Sequence, residues 1–270
     1  MNDLADVLSS AGAHSDELLL RRHVVETETL QLDPDHPDIL GSRNNLASAL
    51  NDMGEHQEAA DLHRQTLTDY ARTLGPNHPH TLTSRNNLAN ALNHLGEHQE
   101  AADLHRQTLT DRERTLGPNH PDTLTSRNNL ASALTGMGEH QEAADLHRQT
   151  LTDRERTLGP NHPHTLGSRN NLAIALNDLG EHQQAADLHQ QTLADHERIL
   201  GPNHPDTLNS RNNLANALTG MGEHQEAADL HRQTLTDRER ILGPNHPDTL
   251  NSRNNLANAL TGMGEHQEAA

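Results

Sequence analysis

The sequence predicts an all-α fold, a one-dimensional stack of antiparallel helix hairpins, and two observations carry that prediction. His-Pro recurs at His36, His78, His120, His162, His204 and His246, always 42 residues apart, and Gly54, Gly96, Gly138, Gly180, Gly222 and Gly264 keep the same interval. A fixed period of about 20 to 50 residues marks a repeat array, in which each unit is one supersecondary element leaning on its neighbours. No stretch alternates apolar and polar residues at period two, which leaves no candidate strand.

Each unit reads as two helices. In the first complete one, Pro37 sits where proline is tolerated at the first helical position, Asp38 complements the positive end of the dipole, and Gly54 supplies a left-handed stop. This is helix A, over 37–53. Helix B runs over 55–74, where Gly75-Pro76 ends it before the next Asn77-His78-Pro79 start. The chain then divides into a partial first repeat (1–35), five full repeats (36–77, 78–119, 120–161, 162–203 and 204–245) and a truncated last one (246–270), all in a single domain. Asn2, Leu4, Ala5, Leu8, Gly12 and His14 lie 42 residues before Asn44, Leu46, Ala47, Leu50, Gly54 and His56, so the opening segment keeps the register.

On a helical wheel, Leu46, Leu50 and Met53 fall together, flanked by Ala47 and Ala49, while Asn44, Ser48 and Asn51 lie opposite. The shared face of helix B is His56, Ala59, His63, Thr66 and Tyr70. One hairpin with so few large side chains cannot offset its ordering entropy, so stability must come from stacking.

Composition narrows the chemistry. Thirty-nine acidic against 20 basic residues give a formal charge of −19, a poor partner for duplex nucleic acid. One Tyr, no Phe, no Trp and no Cys exclude an aromatic core, disulfides and thiolate nucleophiles. No apolar run nears the roughly 20 residues of a membrane span, and the acidic start at Asp3 and Asp6 is unlike a secretory signal, so the expected compartment is the cytoplasm. Low hydrophobicity with high charge would suggest disorder, but the strict repeat overrules it. There is no G-x-S-x-G elbow, no phosphate loop, no H-E-x-x-H and no Lys at all, so catalysis and cofactors are not expected.

The string Asn44-Asn45-Leu46-Ala47, then Leu50, Gly54, Glu58-Ala59 and Leu67, closed by Leu74-Gly75-Pro76-Asn77-His78-Pro79, resembles the tetratricopeptide repeats, in particular the 42-residue kind of kinesin light chain and many bacterial repeat proteins. The resemblance implies a right-handed superhelical solenoid whose A helices line a concave groove for extended peptides or partner proteins. Where the family usually carries Tyr or Phe, this chain has His56 and His63.

On that groove, Asn44, Asn86, Asn128, Asn170, Asn212 and Asn254 should form a ladder, joined by Asn90, Asn216, Asn93 and Asn177. An amide offers donor and acceptor together, which suits the main chain of an extended peptide. The competing reading is that one Asn of each pair bonds to a neighbouring helix. Arg43, Arg85, Arg127, Arg169, Arg211 and Arg253 lie near the leucine side, where a packed stem and a carboxylate partner fit better than a ligand role. Runs such as Asp111-Arg112-Glu113-Arg114 read as a solvated face with weak ion pairs.

Twenty-three histidines invite a metal reading, but spacing opposes it. His56 and His63 lie about 10 Å apart along one axis. Equivalent rings in adjacent helices are roughly 8–10 Å apart, whereas zinc wants each nitrogen at about 2 Å. They are better read as packing substitutes for aromatics, and protonating them should unfold the helices between about pH 7 and 5. The expected role is therefore a protein- or peptide-binding scaffold, with a structural spacer or the regulatory sensor arm of a larger protein as alternatives. His204 to Ala228 repeats identically as His246 to Ala270, a mark of recent duplication. The stop at Ala270, within a B helix, should leave a stripe open to self-association.

Overall fold

The computed structural model describes residues 2–10 and 14–264, and every element among them is a helix. In order these are α1 (Asn2–Ser10), α2 (His14–Gln31), α3 (Pro37–Asp52), α4 (His56–Leu74), α5 (Pro79–His94), α6 (His98–Leu116), α7 (Pro121–Gly136), α8 (His140–Leu158), α9 (Pro163–Asp178), α10 (His182–Leu200), α11 (Pro205–Gly220), α12 (His224–Leu242) and α13 (Pro247–Met263). Odd-numbered helices are the expected A helices and even-numbered ones the B helices.

Local chemistry sets the boundaries. Each A helix from α3 onward opens with proline at its first position, and the preceding histidine caps it, His36 Nδ1 accepting from the Asp38 amide at 3.3 Å and His204 Nδ1 from Asp206 at 3.2 Å. At its far end the Gly54 N–H donates to Asn51 O at 3.0 Å and the Glu55 N–H to Leu50 O at 2.9 Å, the paired bonds of a Schellman stop, with Gly54 at φ +83°. B helices end at Gly75 and its equivalents, where φ +90° and ψ 161° suit glycine alone.

Two compact units, 1–139 and 140–270, are built by one rule. In the first, α1 to α7 pack each on the next, and α3 touches α5 as α5 touches α7; in the second, α8 to α13 repeat the pattern. Alanines at 0% exposure, such as Ala59, Ala60, Ala89 and Ala101, let the backbones approach, and Leu50, Leu82, Leu92 and Leu134 fill what remains. In the second unit, Leu172, Ala173, Leu176, Leu214, Ala215, Leu218 and Leu260 belong to one continuous core. Burying each such leucine contributes on the order of 2 kcal/mol.

Two expectations are corrected. Met53 does not share the buried face of Leu46 and Leu50; it is 40% exposed, because it is the C-cap and the chain turns away at Gly54. The run Asp111-Arg112-Glu113-Arg114 is not wholly a solvated face either, because Arg112 is buried and Asp111 half-buried. The end at Ala270, with its expected open stripe, lies outside the described residues.

Candidate functional site

The amide row runs along the A helices, and its geometry joins the two readings of the Asn pair. In the first unit Asn87 Nδ2 donates to Asn44 Oδ1 at 3.2 Å and Asn129 to Asn86 at 3.1 Å; in the second Asn213 donates to Asn170 at 2.8 Å and Asn255 to Asn212 at 2.9 Å. The second Asn of one repeat thus reaches back to the first Asn of the repeat before it. Asn86 is buried by this arrangement, Asn44, Asn128, Asn170 and Asn212 are half-buried, and Asn254 is exposed. Each bond uses the first residue's Oδ1 and the second residue's Nδ2.

The flanking positions divide. Asn216 is exposed and Asn90 half-buried, whereas Asn93 and Asn177 are tied to the following B helix through His98 Nδ1 at 2.7 Å and His182 Nδ1 at 2.8 Å. At the position equivalent to Asn90, Ile174 stands 42% exposed.

Four of the recurring arginines tie the A helix to the B helix of their own repeat, on packed stems with carboxylate partners as the wheel suggests. Arg43 meets Asp69 at 3.2 Å, and Arg85, Arg169 and Arg211 meet Asp111, Asp195 and Asp237 at 2.8 Å, all on shielded stems. By contrast, Arg64 with Asp61 and Arg148 with Asp145 are exposed i,i+3 pairs of little energetic weight.

Along the B helices, His63, His105, His147, His189 and His231 are buried, and burial pushes each ring down to about 4. Their Nδ1 atoms find no hydrogen-bond partner among the described residues, so these rings serve as apolar filler. Seven residues further along lies a position that the sequence reading underrates, occupied by Tyr70, Arg112, Arg154, His196 and Arg238. Arg112 donates to the Asp122 carbonyl at 3.0 Å and Ser126 Oγ at 2.8 Å; Arg154 repeats this with His164 and Ser168, and Arg238 with Asp248 and Ser252. Burial lowers the pKa of all three guanidiniums, yet arginine stays charged at neutral pH. The clue was present: Tyr70 lies on the shared face of helix B, and a step of 42 reaches Arg112.

At His196 the position opens. His196 Nδ1 meets Ser210 Oγ at 2.8 Å, and beside it lies a cavity of about 370 Å³ between α9, α10 and α11. Leu166, Ile199 and Leu200 line its apolar part; Asp206, Ser210 and the bonded Asn170 and Asn213 bring polar groups. Gly167 forms part of the wall, at a position that is Gly41, Thr83 and Thr125 in earlier repeats.

The sequence matches the tetratricopeptide repeat family over residues 38–114, 83–156, 137–195, 165–240 and 221–270. This chain belongs to the tetratricopeptide repeat family. Among solved structures it is similar to the nearly identical TPR-like repeats of a Podosopora anserina protein assigned as a kinesin light chain. A point variant of that protein is 35% identical, covers 77% of this chain and 98% of its own, and has a TM-score of 0.68. BtubC from P. vanneervenii shares the fold at 18% identity, over 87% of this chain and 92% of its own, with a TM-score of 0.64. Aspartyl phosphate phosphatase F from Bacillus subtilis shares it at 12% identity, over 95% of this chain and 65% of its own, at 0.68. No curated protein matches the chain. Such repeats make it a protein-interaction scaffold in the general sense, of a kind that is typically non-enzymatic. No helix among the described residues is long and apolar enough to cross a membrane.

Proposed function

We propose that the face built by the A helices holds an extended segment of a partner protein or peptide, gripping its main chain through the amide row. The inter-repeat bonds, Asn87 to Asn44 and Asn213 to Asn170 among them, carry the reading. They fix four amide pairs while using only one N–H of the donor and one lone pair of the acceptor, and an amide group can meet both the N–H and the C=O of an extended backbone. Asn90 borders the row in the first unit, and Ile174 and Asn216 border it in the second, each placed to contact side chains of a segment lying on its own unit. With no aromatic anchor on this face, single contacts are weak, and affinity accumulates over several repeats.

A spacer with no ligand on this face is the competing reading, since the same bonds would stiffen a rod. Panning a random-peptide display library against the whole chain separates the two. We expect enriched peptides whose binding falls at least tenfold when Asn90, Ile174 and Asn216 are changed together to Glu, positions that hold none of the inter-repeat bonds. No enrichment, or enrichment indifferent to that triple change, would assign the chain to the spacer class.

A further inference from the structure

The cavity beside His196 has a shape that the rest of the molecule explains. In three repeats the matching space receives the chain's own arginine, whose guanidinium meets a main-chain carbonyl ten residues on and a serine hydroxyl fourteen residues on. A further acceptor comes from the A helix before it, Thr83 for Arg112 and Asn209 for Arg238. In the first full repeat Tyr70 takes the place of the arginine opposite Gly41, with its ring 5.8 Å from that of His80. At α10 the residue is the shorter His196, whose ring stops at Ser210, and the A-helix position is Gly167.

Nothing in the fold demands that glycine. Gly167 lies inside α9 with no positive φ, and a Cβ built there would meet no atom within 4 Å. Glycine in a helix interior costs about 1 kcal/mol relative to alanine. The wider opening is what the residue provides.

We propose that this cavity receives an arginine side chain from a bound partner, in place of the internal arginine that the equivalent repeats supply themselves. The inference deepens the proposed function and rests on it only for the identity of the donor, a peptide lying along the A helices. Asp206 and Ser210, the equivalents of the Asp122 and Ser126 that meet Arg112, both line the cavity, the first bringing a carboxylate and the second a hydroxyl that His196 Nδ1 also meets, and Leu166 and Leu200 suit the apolar stem. A volume near 370 Å³ lies at the small end of ligand sites, the scale of one long side chain with its water. His196 does not compete as a cation, because burial keeps its ring below the ordinary histidine range. The formal charge of −19 favours approach of a basic partner.

Blocked acetyl-Gly-Arg-Gly-amide, with its lysine and citrulline analogues, can be titrated into the whole labelled chain while the amide resonances of Gly167, Asn170 and Ser210 are followed. The arginine peptide should shift these three saturably, with the lysine and citrulline peptides at least fivefold weaker. His196→Arg and His196→Tyr, which install the fillings found in other repeats, should each weaken binding at least tenfold with helical circular dichroism unchanged. Equal binding of citrulline, no movement at Gly167, or undiminished binding to either folded variant would overturn the proposal. Library peptides that bind equally well to wild type and His196→Arg, with no arginine enriched, would sink the pocket and spare the A-helix face. A titration that succeeds where panning fails would do the reverse.

Discussion

One position on the B helices, filled in turn by Tyr70, Arg112, Arg154, His196 and Arg238, shows how much a single side chain decides. Arg112 is 5% exposed and spends its donors on one carbonyl and two hydroxyls, so removing it orphans buried acceptors as well as leaving a void. Arg112→Ala should cost about 2–4 kcal/mol in urea unfolding, whereas Arg112→Tyr, the filling of the first full repeat, should cost less than half as much. The amide row gives a finer test. Asn170→Ala and Asn213→Ala break the same 2.8 Å bond, so their losses should not add, and a double-mutant cycle should return a coupling of about 0.5–1.5 kcal/mol. A coupling near zero would remove the bond from any account of repeat stiffness.

Helices fail together when their shared seam is charged. The five buried B-helix histidines have folded-state pKa values near 4 against about 6.5 unfolded, so below 6.5 the unfolded chain binds protons the folded chain refuses. Their contribution is whole above pH 7, begins to fall at 6.5 and is exhausted near 4, a window reaching lower than the pH 7 to 5 expected from sequence. At pH 5.5 each ring costs about 1 kcal/mol. The urea midpoint should be flat between pH 7 and 8.5 and drop steadily below 6.5. His105→Phe should flatten part of that drop, and a midpoint unchanged from pH 7 to 5 would refute the seam. Much of this was legible from period and wheel: helix ends within about one turn, the packing of His63 and its equivalents though not of the half-buried His56, and the arginines paired with carboxylates. Three things were not. The capping histidines escaped because histidine is an unusual N-cap, the buried Arg112 because a charged run normally faces water, and the partner of the Asn that bonds to a neighbouring helix, itself an Asn, because a wheel describes one helix and the bond joins two repeats.

A molecule made by repeating one 42-residue unit should tolerate loss of a unit and not of half a unit. Excising residues 78–119 joins Asn77 to His120, the Asn-His junction found at every repeat boundary after the first, so each remaining helix meets a neighbour with a matching face. Helical circular dichroism per residue should be retained, and the urea midpoint should fall by no more than the loss of one interface implies. Excising 97–117 instead removes α6 and its stop, placing two A helices in succession with no B helix between, and helicity should fall by more than the deleted share. The same surgery separates scaffold from site. Excising 162–203 preserves the period but removes Leu166, Gly167, His196 and Leu200, so the arginine peptide should no longer bind. Excising 78–119 leaves that cavity's residues untouched, and the peptide should bind as it does to the whole chain. If both shortened chains bind it alike, recognition is spread along the repeats, and His196 marks only a place where packing is loose.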